Sequence, residues 1–379
     1  MKYRILLAGG GTGGHVYPLI AVAKALKERA ATEKIDIELL LVGDGEFIEK
    51  AAEINKLPFQ RIVSGKLRRY FSVDNLKDIL KMPIGFVQSL WCIYWFMPEI
   101  VFAKGGYASV MPALAARIFL IPVFIHESDF VPGLSNTILA KIAEEVFISF
   151  EASKQYFGRA RTSFVGNPIR KELFGASREA AVKFFNLDPG RKTILVLGGS
   201  LGAKVINELI LTSLVLMTEN YQIIHQCGDS QYDEVKKDYD KLAEEGGAAY
   251  GGRLKEYYHL SPFLEEEALA MAYAAADVII SRAGGQLFEL AYLGKPAIII
   301  PRAGSPGDHQ AYNASSFGGA GGIVIEEQNF TRDVLIQRIG FLLEPKNYSE
   351  VSEKIKSFAK PDAADKIAEE LVDILKSKK

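Results

Sequence analysis

Gly9-Gly10-Gly11-Thr12-Gly13-Gly14-His15 directly follows an apolar run, Tyr3-Arg4-Ile5-Leu6-Leu7-Ala8, and precedes Pro18-Leu19-Ile20-Ala21-Val22-Ala23. The first run reads as a buried strand and the last as a helix, so the glycines form a strand-to-helix turn. Uncovered backbone N–H groups beside a helix N-terminus suit a diphosphate. The turn ends in a histidine, a side chain that takes a proton near neutral pH. A phosphate cradle with a base at its rim points to group transfer more than to hydride transfer. The spacing Gly9-x-Gly11-x-x-Gly14 also satisfies the dinucleotide fingerprint, with Asp44 after the second strand as a ribose acid. Five glycines in six residues satisfy many patterns, so the nucleotide-cofactor reading is the weaker one.

Other clusters allow two readings each. His126-Glu127-Ser128-Asp129 ends an apolar run and precedes Val131-Pro132-Gly133, so it either satisfies a loop backbone or carries function at a strand edge. Arg170, after Asn167-Pro168-Ile169, could neutralise a diphosphate or be a solvated surface charge. Ser281-Arg282-Ala283-Gly284-Gly285-Gln286-Leu287-Phe288-Glu289 again joins a strand to a helix. Its glycine amides suit a phosphate, and Glu289 could accept from two ribose hydroxyls or simply complement the helix dipole. His309, in Asp308-His309-Gln310, could be a base, a capping group or neither. Asp238-Tyr239-Asp240 has a metal-binding spacing but lies in a charged run, Asp233 to Glu245, that reads as a solvated helix, so no metal site is expected. His225 and His259 have no partner at ligand spacing and read as core or surface residues.

The elements that must position these residues alternate in type. Strands are expected at 4–8, 38–42, 100–103, 123–126, 145–149 and 162–165, and a second series at 193–197, 221–225, 276–281, 296–300 and 322–325. Each series opens with a buried strand and a glycine turn, the second being Gly198-Gly199-Ser200-Leu201-Gly202. Alternation of this kind gives parallel sheets covered by helices on both faces. The expected fold is therefore α/β, two Rossmann-like doubly wound domains facing across a cleft, with ligands at the C-terminal strand ends. Residues 1–166 would form the first domain, 167–350 the second, and 351–379 C-terminal helices.

Forty-five Lys and Arg against 46 Asp and Glu leave a net charge of −1, so nothing global suggests a nucleic-acid partner. Cys92 and Cys227 lie far apart without ligand spacing, which fits a reducing compartment. The first strand starts at the N-terminus, leaving no room for a signal peptide. Ile84 to Met97, bounded by Pro83 and Pro98, is apolar and aromatic but shorter than the roughly 20 residues of a membrane span. It reads as a core-facing helix or, with Lys66, Arg68, Arg69, Lys77 and Lys81 upstream, as a patch for an anionic membrane surface. Both can hold, one face inward and the other on lipid. A peripheral protein of the cytoplasmic membrane face is expected.

Taken together, the motifs resemble one family, the bacterial N-acetylglucosaminyltransferases that convert lipid I to lipid II, the MurG type of glycosyltransferase family 28. The resembling stretches are Gly9–His15 with Pro18, Gly105-Gly106-Tyr107-Ala108-Ser109, His126-Glu127, and Pro132-Gly133-Leu134-Ser135-Asn136. They continue with Gly166–Arg170, Gly198–Ala203, Ser281–Gly284, and Asp308-His309-Gln310 with Asn313-Ala314. They stand in the family's order across both halves. The resemblance implies the GT-B architecture, UDP-N-acetylglucosamine as donor and an undecaprenyl-pyrophosphate-linked acceptor, with no cofactor. It implies that Ser200, Gly284, Gly285, Gln286, Leu287, Phe288 and Glu289 face the UDP diphosphate and ribose. Leu264 would meet uracil through its backbone, Arg170 the diphosphate and Gln310 the sugar. Thr12, Gly13 and Gly14 would line the cleft, Asp129 would approach the donor, and Gly105, Gly106, Tyr107 and Glu127 would stand on the acceptor side. His15 would be the general base, with Glu127 and Asp129 in reserve, or would only cap the helix or order the glycine loop. The chain departs from the family in Ser128-Asp129, where Gln-Asn is usual, in Leu201, where Gln is usual, and in a 281–289 segment shorter by one residue. A UDP-sugar 2-epimerase, or a transferase of the same fold using another acceptor, is the rival reading.

Overall fold

In the computed structural model, residues 2–65, 73–199 and 202–377 are described, and of residues 73–80 and Pro306 only the backbone. The chain divides into two compact units, Met1–Arg170 with Lys360–Lys379, and Lys171–Ala359.

The first unit runs β1 (Lys2–Ala8), α1 (Gly13–Glu33), β2 (Asp36–Gly43), α2 (Glu46–Ile54), β3 (Phe59–Arg61), α3 (Val73–Phe96), β4 (Ile100–Ala103), α4 (Val110–Ile118), β5 (Val123–Glu127), α5 (Leu134–Leu139), β6 (Glu145–Ile148) and β7 (Thr162–Phe164). Its sheet is parallel throughout, in the order β3-β2-β1-β4-β5-β6-β7. All four residues of β4, and Ile5 to Ala8 of β1, are buried because helices cover both faces.

The second unit runs α6 (Arg178–Phe185), β8 (Lys192–Leu197), α7 (Lys204–Asn220), β9 (Tyr221–Gln226), α8 (Tyr232–Gly246), α9 (Gly251–Tyr257), β10 (Tyr258–Ser261), α10 (Glu266–Ala275), β11 (Val278–Ser281), α11 (Gln286–Leu293), β12 (Ala297–Ile299), α12 (His309–Gly319), β13 (Ile323–Val324), α13 (Arg332–Leu343) and α14 (Pro345–Lys356). Its sheet, also parallel, has the order β10-β9-β8-β11-β12-β13.

The last helix, α15 (Ala363–Ser377), belongs to the first unit. Its Ile367, Leu371, Val372 and Leu375 fall at helical spacing and are buried in one core with Leu19 and Leu26 of α1. Arg29 to Glu369 and Arg161 to Glu370 bridge its rim at 3.0 and 2.9 Å. Residues 351–379, expected as one terminal helical set, are thus shared between the units, because the apolar stripe of α15 needs α1 to cover it. Arg170, expected in the C-terminal domain, falls in the first unit.

In both sheets the first strand lies in the interior, and strand order reverses around it. The β1 and β4 ends are neighbours, with Ala8 opposite Ala103. The β8 and β11 ends are likewise neighbours, with Leu197 opposite Ser281. Each unit therefore has a switch point, where open parallel sheets bind ligands, and each switch point is flanked by two glycine-containing turns.

Candidate active site

In the first unit the switch point joins the turn after β1 to Lys104-Gly105-Gly106 after β4. Thr12 starts α1 in an extended conformation, and its carbonyl accepts from the amides of His15 and Val16 at 3.0 and 3.1 Å. Gly11, Thr12 and Gly14 are exposed, and His15 is half-buried in the first helical turn. Gly106 has φ +77°, and a Cβ there would lie 2.8 Å from the Gly10 carbonyl oxygen and 3.3 Å from the His15 ring. Only glycine lets the two turns approach so closely. The ring of Tyr107 stands against Gly11, 3.3 Å from where a Cβ would sit there. Arg170 is buried, its guanidinium carbon 3.8 Å from the ring centroid of Tyr17 on α1.

The 126–129 segment is organised from within. His126 Nε2 lies 2.8 Å from the Gly166 carbonyl oxygen, which can only accept, so Nε2 carries the proton. Burial, and then the Lys104 charge, hold this ring well below its ordinary range, so it is neutral. Glu127, expected on the acceptor side or as a reserve base, is buried and accepts from the amides of Asp129 (2.9 Å) and Gly133 (3.0 Å) and from Asn136 Nδ2 (2.9 Å). Burial, then the Asp129 charge, raise its carboxyl above the ordinary range. Its position is that of a tie across the 127–133 loop. Asp129 is half-buried beside it.

In the second unit the turn after β8 contains Ser200 and Leu201, which lie outside the described residues. Gln226, at the end of β9, donates from Nε2 to the Gly199 carbonyl (3.1 Å) and accepts at Oε1 from the Leu264 amide (3.2 Å). One buried amide thus ties the glycine turn to the loop expected to meet uracil. A Cβ at Gly284 would meet nothing within 4 Å, so this turn presents open backbone. Leu287 and Phe288 point into the core, Phe288 packing on Phe358 with centroids 4.9 Å apart. Their amides are paired with the carbonyls of Gly284 and Gly285 at 3.1 and 3.3 Å. Neither residue has a side chain to offer a ligand. Glu289, in the first turn of α11, accepts at Oε2 from the buried Tyr273 hydroxyl at 2.9 Å. Gln310 accepts from the Arg302 amide at 2.9 Å, and Glu327 accepts from the Ala303 amide at 3.0 Å while bridged to Arg282 at 2.6 Å, which fixes the 302–310 loop beside the turn. Asn313 Nδ2 donates to the Ala283 carbonyl at 3.0 Å.

Of the remaining candidates, Asp240 is paired with Lys236 at 2.7 Å on the exposed face of α8. His225 is buried between Tyr258 and Asn207 at 2.8 and 3.0 Å. His259 is half-buried. Among the described residues, no three His, Cys, Asp or Glu side chains converge as a metal-binding group. Three residues that position the sites were not singled out from sequence: Lys104, Gln226 and Tyr273. Gln226 ends β9 and Lys104 directly follows β4, each beside a glycine turn, the one signal available.

Helix α3 has two faces. Ile93 and Ser89 are buried, whereas Trp91 and Trp95 are 65% and 66% exposed and Ile84, Val87, Tyr94 and Met97 are also exposed. The core-facing reading of the 84–97 segment therefore holds for the face that carries Ser89 and Ile93, and the opposite face leaves apolar side chains exposed. Among the described residues no helix is long and apolar enough to cross a membrane. Lys66, Arg68 and Arg69 lie outside the described residues, as does the side chain of Lys77.

Residues 5–148 match the glycosyltransferase family 28 N-terminal domain, and residues 193–367 its C-terminal domain. The UDP-N-acetylglucosamine–N-acetylmuramyl-(pentapeptide) pyrophosphoryl-undecaprenol N-acetylglucosamine transferase of Legionella pneumophila (strain Paris) is 37% identical over 97% of this chain and 96% of its own. The MurG structure of Acinetobacter baumannii is similar with a TM-score of 0.67, at 26% identity over 97% of this chain and 98% of that one. A UDP-GlcNAc 2-epimerase structure from Neisseria meningitidis has the same TM-score of 0.67, at 16% identity over 98% and 100% of the two chains, a likeness of fold alone.

Proposed function

Because the chain belongs to glycosyltransferase family 28 along both of its halves, we propose that it moves N-acetylglucosamine from UDP-N-acetylglucosamine to an undecaprenyl-pyrophosphate-linked muramoyl-pentapeptide, the step from lipid I to lipid II in peptidoglycan synthesis. The observation that carries this reading is the pair of switch points, each flanked by two glycine-containing turns, with a base candidate at one and a ribose acceptor candidate at the other. The second unit holds UDP: Gly284, Gly285 and Gln286 at the diphosphate through the backbone of the α11 start, Glu289 on the ribose, Leu264 at uracil, Gln310 at the sugar and Ser200 at the phosphates. The first unit takes the acceptor at Thr12–Gly14 and Gly105–Tyr107. His15 removes the proton from the acceptor hydroxyl as the hydroxyl oxygen bonds the anomeric carbon and the bond to UDP breaks, with inversion. The charge leaving on UDP is met by helix N-termini, so the step calls for no metal.

Purified protein given UDP-N-acetylglucosamine and lipid I is expected to release UDP and form lipid II, equally with EDTA. Interconversion of free UDP-sugars without acceptor, or strict dependence on a divalent cation, overturns the reading.

The geometry of Glu289 adds a sharper expectation. Tyr273→Phe removes the hydroxyl that orients its carboxylate, so the KM for donor rises about tenfold, as for one hydrogen bond to a charged group, with kcat little changed. The preference for UDP over 2′-deoxy-UDP in competition binding shrinks in parallel. An unchanged preference would make Tyr273 a packing residue.

The exposed face of α3 is the proposed contact with an anionic leaflet at the cytoplasmic membrane face. Apolar side chains that remain exposed at helical spacing, Trp91 and Trp95 among them, support it. A Trp91→Glu, Trp95→Glu double variant should lose co-sedimentation with phosphatidylglycerol vesicles at an unchanged melting temperature. Retained sedimentation excludes this face.

A further inference from the structure

Lys104 is fully buried at the end of β4, between the two glycine turns of the first unit, and its Nζ has no hydrogen-bond partner among the described residues. Its amide donates to the Ala8 carbonyl at 2.9 Å, and its Cβ lies 3.8 Å from where a Cβ on Gly9 would be. An ammonium without hydrogen bonds in a dry interior is costly to keep, and chains retain one where its charge acts on something. Two carboxylates act back on it, Glu127 and Asp129. The two oxygens of Glu127 already accept from three donors between them, two loop amides and the Asn136 side chain. Asp129 is the more exposed of the two and lies on the loop that follows β5, the strand next to β4. Among the described residues, the titratable groups brought to this strand end also include His126, held neutral and itself influenced by Lys104, His15, and Tyr107 against Gly11.

We propose that Lys104 and Asp129 form an opposed charge pair that sets how tightly the glycine turns of the first unit hold the diphosphate of a lipid-linked acceptor. Lys104 draws the anion toward the turns from beneath their backbone, and Asp129 limits that pull. Lys104 is a positioning residue here, acting through the field at the turns without touching the acceptor. The pair rests on the acceptor reading above and names the residues that tune it.

The test is steady-state kinetics with a short-chain lipid I analogue as the varied acceptor. Lys104→Met should raise the acceptor KM about tenfold or more and leave the donor KM unchanged. Asp129→Asn should lower the acceptor KM, and the double variant should return it toward the parent value. Burial places the Lys104 amine at about 8, so it is charged below that pH and neutral above. The parent enzyme's acceptor KM should therefore climb as pH rises through 8, and that climb should vanish in Lys104→Met. Because the buried charge opposes folding, Lys104→Met should melt no lower than the parent, which separates the effect from misfolding. An acceptor KM indifferent to Lys104→Met and to pH, in an enzyme that still makes lipid II, overturns the pair. Absence of any transfer to the lipid acceptor instead overturns the acceptor reading. If Lys104→Met does not fold, the parent's pH profile and Asp129→Asn alone decide.

Discussion

Alanine in place of His15 is expected to lower kcat by about 100-fold or more, the range for loss of a positioned general base, with UDP affinity nearly unchanged. The histidine sits in the first turn of α1, its ring against Gly106 where the β1 and β4 turns meet. On the proposed reading it acts on the acceptor, and the donor contacts belong to the other unit. Loss of a base therefore strikes the chemical step and spares ground-state binding of UDP. Single-turnover rates with UDP titration separate the two quantities. A defect confined to donor affinity would make His15 a residue that orders the glycine loop.

Glu127→Ala should be the most destabilising single change at either switch point, by about 3 kcal/mol. Three donors, the amides of Asp129 and Gly133 and the Asn136 side chain, converge on this carboxylate. Each donor left buried without an acceptor costs about 1–3 kcal/mol, and relief of the carboxylate's own burial offsets part of the sum. Glu127→Gln keeps one acceptor oxygen but turns an NH2 toward donors, so it should fall between the parent and alanine. Urea unfolding should show a lower midpoint with an unchanged slope. An alanine variant with the parent's midpoint would mean that water reaches the loop, and the tie would then have no energetic weight.

The two-sheet architecture was legible because buried parallel strands are continuous apolar runs. Ile100–Ala103 and Val123–Glu127 announce themselves, and every strand of both series is present with ends shifted by at most two residues. The missed strands, Phe59–Arg61 and Tyr258–Ser261, are edge strands of three and four residues in which polar side chains break the apolar run. The glycine turns were legible for the same local reason, since positive φ at Gly10, Gly11, Gly105 and Gly106 leaves its mark on residue choice. Contacts made by folding were not. Nothing along the chain links Tyr273 to Glu289, or Gln226 to both Gly199 and Leu264. Nor does local pattern reveal that Leu287 and Phe288, within a phosphate-type turn, face the core, or that Glu127 is enclosed by its own loop.

Helix α15 has a consequence for how the molecule is made. Residues 171–359 are continuous, so that unit has all of its parts once they leave the ribosome. The N-terminal sheet is synthesised first, yet the core around Leu19 and Leu26 stays uncovered until Ile367, Leu371 and Leu375 arrive. The half made earliest is therefore the last to be sealed, and a nascent chain halted before residue 363 displays an apolar helix face for the whole pause. Such an intermediate is a natural client for chaperones and a natural seed for aggregation.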